Sequence, residues 1–282
     1  MSNVKELFNG DGCKESLPLL QIAGEIAESI GIEAYVVGGF VRDLLMGKPL
    51  NDIDIMVVGD GINFAKHVSK ALGIHKVVPF EKFGTALIPS QPIQIEIASA
   101  RTESYDNHSR KPKQVIYTDL KGDLVRRDFT INAMAVDIRP NHFGNLYDPF
   151  EGIQDLQAKR LITPLDPNET FSEDPLRMMR GAYFASKLSF EIDDECLNSI
   201  KRQVKRIDIV SWERKTTELE KILKTPKPSI GLNILQETGL MKFVFPEIDN
   251  MVGLDQTSEW HHKDIYTHTM QVVDNAANLT NK

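Results

Sequence analysis

The sequence predicts an α+β fold: a small mixed sheet flanked by helices over about the first 150 residues, then helices alone. Three observations carry this. Apolar residues recur at helical spacing between Leu19 and Ile30. Apolar and polar residues alternate through 53–58 and 93–98. Beyond Gly152 strand signals thin out and helical stretches follow one another.

In chain order, Leu19, Leu20, Ile22, Ala23, Ile26, Ala27 and Ile30 share one helix face, and Gly31 stops that helix. A strand over 34–37 closes on Gly38-Gly39, and a short helix over 40–46 follows. Next come a strand over 53–58, a helix over 62–72, and short strands at 85–88, 93–98 and 114–117. The later helices fall at 175–188, 194–206, 212–223 and 229–237. Two prolines within 163–168 mark a junction, and the chain divides into residues 1–150, 151–250 and 251–282. A last helix over 265–279 shows neither cap nor partner in the sequence, the pattern of a chain cut inside a further domain.

With 282 residues, 41% of them hydrophobic, the chain can bury a core without disulfide staples. Its net charge of −7 works against a nucleic-acid partner, although a local basic groove can coexist with an acidic whole. Cys13 and Cys196 have no ligand spacing and form no disulfide framework, which fits a reduced, cytoplasmic protein. Glu6, Asp11 and Glu15 interrupt the N-terminal region, so no signal peptide is expected, and no apolar run is long enough for a membrane span.

Asp52-Ile53-Asp54-Ile55 is the sharpest chemical signal. Residues two apart on a strand share a face, so Asp52 and Asp54 point together while the isoleucines face the core. Paired carboxylates can hold divalent cations for phosphoryl transfer, though a solvated strand edge has the same pattern. In Ile93-Gln94-Ile95-Glu96-Ile97, Glu96 takes the face opposite the isoleucines and is a candidate third carboxylate. Gly38-Gly39 sits between strand and helix, where backbone N–H groups can meet phosphate, with Arg42 one turn on. A tight turn with a surface arginine reads the same way.

The combination is more specific. GGFVRDLLMGKPLNDIDI, from Gly38 to Ile55, resembles the signature of the DNA polymerase beta-type nucleotidyltransferase superfamily. Its GGxVRD form is similar to the class II tRNA nucleotidyltransferases and bacterial poly(A) polymerases. Arg126-Arg127-Asp128-Phe129-Thr130-Ile131-Asn132-Ala133 resembles that family's ribose-reading motif, and Glu173-Asp174-Pro175-Leu176-Arg177-Met178-Met179-Arg180 its nucleobase-reading motif. Glu151–Leu156 resembles the hinge after the catalytic sheet, and Glu213-Arg214 with Glu218-Leu219 a motif that supports the base-reading helix. Tyr183 stands where relatives often carry a further arginine.

The resemblance implies a nucleotidyltransferase palm followed by all-helical neck and body domains. It implies that Asp52 and Asp54, with Glu96, are the catalytic carboxylates, and that Asp52 and Asp54 hold Mg²⁺. Gly38, Gly39 and Arg42 would grip a triphosphate; Arg127 and Asp128, in one motif with Asn132, would seat the ribose; Asp174 and Arg177, with Arg180 nearby, would select the base. The activity implied is template-independent addition of nucleotides from CTP and ATP to an RNA 3′ end, with CCA addition to tRNA foremost. Poly(A) synthesis and CC-only or A-only addition are the alternatives within the family. A catalytically silent RNA-binding member is the alternative outside catalysis, and intact Asp52, Asp54 and base-reading residues argue against it. The segment 104–113 resembles the flexible loop that accompanies C and then A addition. Lys201, Arg202, Lys205 and Arg206 form a candidate RNA-facing surface, or a solvated helix face. His261, His262 and His268 resemble the start of an HD phosphohydrolase domain and are expected to bind nothing here.

Overall fold

The computed structural model of the chain describes residues 2–106, 109–254 and 264–280. Two compact units emerge, Met1–Ser104 with Lys113–Leu156, and Tyr105–Pro112 with Gln157–Lys282.

The first unit follows the expected order with one strand more, β3: α1 (Ser16–Ile30), β1 (Glu33–Val37), α2 (Gly39–Leu45), β2 (Asp52–Val58), α3 (Gly61–Ala71), β3 (Val78–Phe80), β4 (Thr85–Ile88) and β5 (Gln94–Ser99). β6 (Arg101–Asp106), β7 (Ser109–Tyr117), α4 (Leu120–Val125), β8 (Ala135–Asp137) and β9 (Leu146–Tyr147) follow. Seven strands form one sheet in the order β3-β4-β5-β2-β1-β8-β9. Only β2 and β5 run parallel within it; the other pairs are antiparallel.

One sheet face carries the main core. Ile53, Ile55 and Val57 of β2 and Ile95 and Ile97 of β5 pack with Leu20, Ala23 and Ala27 of α1 and with Phe64, Ala65 and Val68 of α3. α1 lies unusually close to the chain after β8: a methyl added at Gly24 would meet the Ile138 carbonyl oxygen at 1.9 Å. The opposite face holds a smaller apolar cluster of Tyr35, Val37, Met56, Ala100, Leu124 and Ala135. That face also carries the polar groups described below.

The segment 104–113, read as a loop, is largely strand. β6 and β7 pair in a separate two-stranded sheet. Charged and polar residues dominate it, so the sequence announces only the 114–117 end of β7, and backbone pairing makes the rest.

The second unit takes up the chain within α5 (Gly152–Ala158) and adds β10 (Arg160–Leu161), α6 (Pro167–Glu173), α7 (Leu176–Leu188), β11 (Glu191–Ile192), α8 (Asp194–Gln203) and α9 (Trp212–Leu223). α10 (Pro228–Glu237), α11 (Met241–Val244), α12 (Pro246–Asp249) and α13 (Ile265–Thr280) complete it. From Gln157 on, its described elements are helices except for β10 and β11, two residues each, which pair in parallel. The prolines near 163–168 do not separate the units. Pro167 opens α6, and Asp166 caps it by accepting from Asn168 N at 2.7 Å. The expected helix over 194–206 stops at Gln203 and continues as a 3₁₀ turn, Val204–Ile209.

α13 has the partner that its sequence did not reveal. Asp274 accepts from Ser229 N at 2.9 Å and from Ser229 Oγ at 2.7 Å, capping α10, while Tyr266 donates to Asn233 Oδ1 at 3.0 Å. His261 and His262 lie outside the described residues; His268 is on α13. Cys13 and Cys196 are buried free thiols. Among the described residues, no helix is long and apolar enough to cross a membrane.

Candidate active site

The carboxylates arise from strand alternation in two parallel neighbours. Ile53 pairs with Ile95 and Ile55 with Ile97 toward the core. The intervening Asp54 pairs with Glu96, and Asp52 with Gln94, on the other face. Asp54 and Glu96 line a cleft of about 240 Å³ together with Thr85, Arg101, Arg126 and Arg127. Asp52 is exposed at the start of β2, outside that lining. Burial pushes the Asp54 carboxyl up to about 6; the Glu96 charge adds to this, Arg127 opposes it, and Asp52 raises it further.

This crowding tests the fit of a metal. The donors are all carboxylate oxygens, the kind a hard divalent cation takes, and a cation would offset the desolvation and the Glu96 repulsion that raise the Asp54 carboxyl. Among the described residues, no three His, Cys, Asp or Glu side chains are gathered closely enough to form a metal cage by themselves. The structure therefore brings Asp54 and Glu96 together and leaves Asp52 beside them.

A buried carboxylate organises Arg126 and Arg127. Asp123 is 1% exposed and sits on α4, three and four residues before Arg126 and Arg127. Arg126 pairs with its Oδ1, and Arg127 Nη2 lies 2.9 Å from its Oδ2. Burial alone would raise the Asp123 carboxyl, but the charges and hydrogen bonds of Arg127 and Arg126 outweigh it and hold it below the usual carboxylate range. Arg126 also donates to the Arg101 carbonyl at 2.6 Å.

Gly38 meets this cluster. Its φ of 68° belongs to the left-handed region, and an added methyl would fall 2.8 Å from Arg127 Nη1. Glycine is needed there both for the turn and for the approach of the arginine. Arg42, expected at a triphosphate, is 3% exposed. Its Nε and Nη2 each donate to the Asp43 carboxylate at 2.9 Å, and Nη1 donates to Asn132 Oδ1 at 2.7 Å. Asn132 Nδ2 in turn donates to Asp128 Oδ1 at 3.0 Å, which also accepts from Phe129 N. Arg42 thus fixes α2 to the Asp128–Asn132 turn, and its guanidinium is turned into the protein.

In the second unit the segment expected to read the base opens α7. Asp174 caps the helix by accepting from Leu176 N at 3.2 Å, and its other oxygen lies 3.7 Å from Arg214 Nη2. Arg177 donates from Nη1 to the Thr170 carbonyl and to Glu173 Oε2, both at 3.1 Å. Arg180 lies over the Phe184 ring at 5.1 Å, and Tyr183 has Lys187 and Lys221 within 6.0 Å of its ring. Glu218 Oε2 and Arg214 Nη1 are buried without a hydrogen-bond partner among the described residues. Of the basic surface residues, Arg202 donates to Asn168 Oδ1 and Arg206 to the Ser172 carbonyl, which ties them to α6, while Lys201 and Lys205 are exposed.

Sequence reasoning missed Asp123 and Arg101, whereas Arg214, expected to support the helix of Asp174, lies beside Asp174. The spacing of Asp123 to Arg126 and Arg127 was a visible signal for an ion-pair cluster. Arg101 and Arg214 reach their partners only through the fold.

The fold and this cleft define a nucleotidyltransferase head followed by a helical region. Residues 34–162 match the Poly A polymerase head domain, and residues 189–252 match the probable RNA and SrmB-binding site of polymerase A. The chain is 37% identical over 248 residues to the A-adding tRNA nucleotidyltransferase of Geobacter sulfurreducens, covering 87% of this chain and 28% of that protein. It is 37% identical over 239 residues to the CCA-adding enzyme of Limosilactobacillus reuteri, covering 83% and 57%. The Thermotoga maritima CCA-adding enzyme complexed with tRNA matches with a TM-score of 0.76 at 32% identity, covering 87% of this chain and 56% of that one. The chain belongs to the tRNA nucleotidyltransferase and poly A polymerase family, and it spans little more than half the length, or less, of these relatives.

Proposed function

We propose that this chain is the catalytic and nucleotide-selecting part of an enzyme that extends the 3′ end of tRNA, adding CCA from CTP and ATP with release of pyrophosphate. The observation that carries the reading is Asp54 in register with Glu96, in a cleft shared with the Arg126–Asp123–Arg127 cluster.

Asp52, Asp54 and Glu96 would hold divalent cations, Mg²⁺ by the chemistry of the oxygen donors. Bound there, a metal supplies charge stabilisation for the attacking and leaving oxygens of phosphoryl transfer. The remaining roles belong to the chain. The turn at Gly38 and Gly39, next to Arg127, receives the triphosphate. Arg127 and Asp128 seat the ribose, with Arg127 aimed by Asp123 and Asp128 aimed by Asn132 and Arg42. Asp174 and Arg177 offer acceptor and donor groups to a base edge, and Arg214 restrains Asp174. Exposed Lys201 and Lys205 add positive charge for an RNA backbone. A reduced, cytoplasmic setting follows from such a role.

The deciding experiment incubates the chain with tRNA lacking its 3′ terminus, Mg²⁺ and labelled CTP or ATP, resolved at single-nucleotide length. Addition ending after C, C and A is the expected result. Addition of a single A would assign the activity carried in the name of the Geobacter relative, and a long A tail that of a poly(A) polymerase. If neither nucleotide enters RNA, the transferase reading is wrong for this chain.

A further inference from the structure

The sheet edge beyond the carboxylates carries exposed aromatic side chains. Phe80 on β3 opposes Thr85 on β4, and Thr85 opposes Ala98 on β5, while Leu87 opposes Glu96. Directly opposed residues share a sheet face, so Phe80 lies on the face of Asp54 and Glu96. Phe80 is 48% exposed, Phe83 38% and Tyr117 64%. Phe83 and Tyr117 flank the Gly84 backbone, and a methyl added at Gly84 would lie 3.3 Å from both Cε1 and Oη of Tyr117. Exposed rings gathered at one edge mark a surface that meets a partner.

Arg101 joins this rim to the cleft. It lines the cleft, donates to the Phe83 carbonyl and donates to Thr85 Oγ1 at 3.2 Å. Its guanidinium carbon lies 5.8 Å from the Phe83 ring centre, and Lys82 Nζ also lies 5.8 Å from that centre. Arg126 and Arg127 continue the positive lining to the carboxylates. Rings interleaved with cations suit a single nucleic-acid strand, whose bases stack while its phosphates meet the charges. The sheet order sets this rim on the β3–β4 side of Asp54 and Glu96, whereas the Gly38 turn follows β1 on the other side.

We propose that Phe80, Phe83 and Tyr117, with Lys82 and Arg101, form a stacking platform for the unpaired 3′-terminal nucleotides of the acceptor RNA. The acceptor then reaches the carboxylates from the side opposite the triphosphate. This deepens the transferase reading above and rests on it for the identity of the acceptor.

The test compares the whole chain with the surface pair Phe80→Leu/Tyr117→Leu and the rescue pair Phe80→Trp/Tyr117→Trp. The probe is a short single-stranded RNA carrying 2-aminopurine at its 3′ end, titrated by fluorescence at fixed salt without nucleotide, alongside an elongation assay. Stacking quenches the probe on the unmodified chain. The leucine pair should raise the RNA Kd and KM about tenfold per stacked base, leaving the KM for ATP and CTP and the unfolding temperature unchanged. The tryptophan pair should restore binding. An unchanged RNA Kd in the leucine pair, or a changed nucleotide KM alone, overturns the platform. Probe binding that depends on the rings without any elongation would sink the transfer reading and support the platform; elongation with ring-independent RNA binding would do the reverse.

Discussion

Replacing Asp54 by asparagine should stabilise the protein while abolishing nucleotide transfer. The carboxyl is held at about 6 against an ordinary 3.8. The folded state therefore binds the proton more tightly than the unfolded chain does. For such a raised acid, stability falls as pH climbs from the unfolded toward the folded pKa, and the full cost stands above both. A shift of about two units corresponds to roughly 3 kcal/mol at pH 7.5, and to about half of that at pH 5, where much of Asp54 is already protonated when folded. Asparagine keeps the shape and removes the charge. In chelator, Asp54→Asn should melt several degrees higher than the unmodified protein at pH 7.5, with the gap shrinking by about half at pH 5. Millimolar Mg²⁺ should narrow the gap at pH 7.5 by stabilising only the protein that keeps the carboxylate. Thermal unfolding followed by circular dichroism at the two pH values, with and without Mg²⁺, measures all three. An asparagine variant no more stable at pH 7.5, or equally stabilised at pH 5, would refute the reasoning that desolvation and Glu96 crowd this group.

Other consequences follow from the same geometry. Asp123→Asn leaves Arg126 and Arg127 without their buried counter-charge and should cost about 3–5 kcal/mol in denaturant unfolding. Because the Asp123 carboxyl is held low, its contribution is present at neutral pH and lost as pH falls through the folded pKa, so wild type and variant should converge on acidification. Gly24→Ala drives a methyl into the Ile138 carbonyl and should lower stability by about 1–3 kcal/mol, read as a lower melting temperature with unaltered secondary structure. Gly38→Ala, strained at φ 68° and in collision with Arg127, should raise the KM for nucleotides about tenfold or more in the elongation assay. Arg214→Ala frees Asp174 and should relax discrimination between CTP and ATP against GTP and UTP, measured as relative incorporation into RNA; unchanged selectivity would leave Arg214 a packing residue.

The sequence by itself determined what depends on period and spacing. Alternation placed Asp52 and Asp54 on one strand face and Glu96 on another, because side chains switch faces at every residue. Helical spacing and Gly31 set α1, and the motif order set the family. β6 and the first part of β7 escaped because polar sequence carries no period to read, while the 114–117 end of β7 was legible. The tertiary structure alone decided which elements became neighbours. It paired β2 with β5 in parallel and so brought Asp54 against Glu96, where burial first and the Glu96 charge second raise its pKa. It buried Arg42 against Asn132, 90 positions away, and gave α13 its partner in α10 through Asp274. Local sequence encodes the pattern that each segment presents, whereas contacts between distant segments depend on how those patterns are satisfied together when the apolar faces are buried.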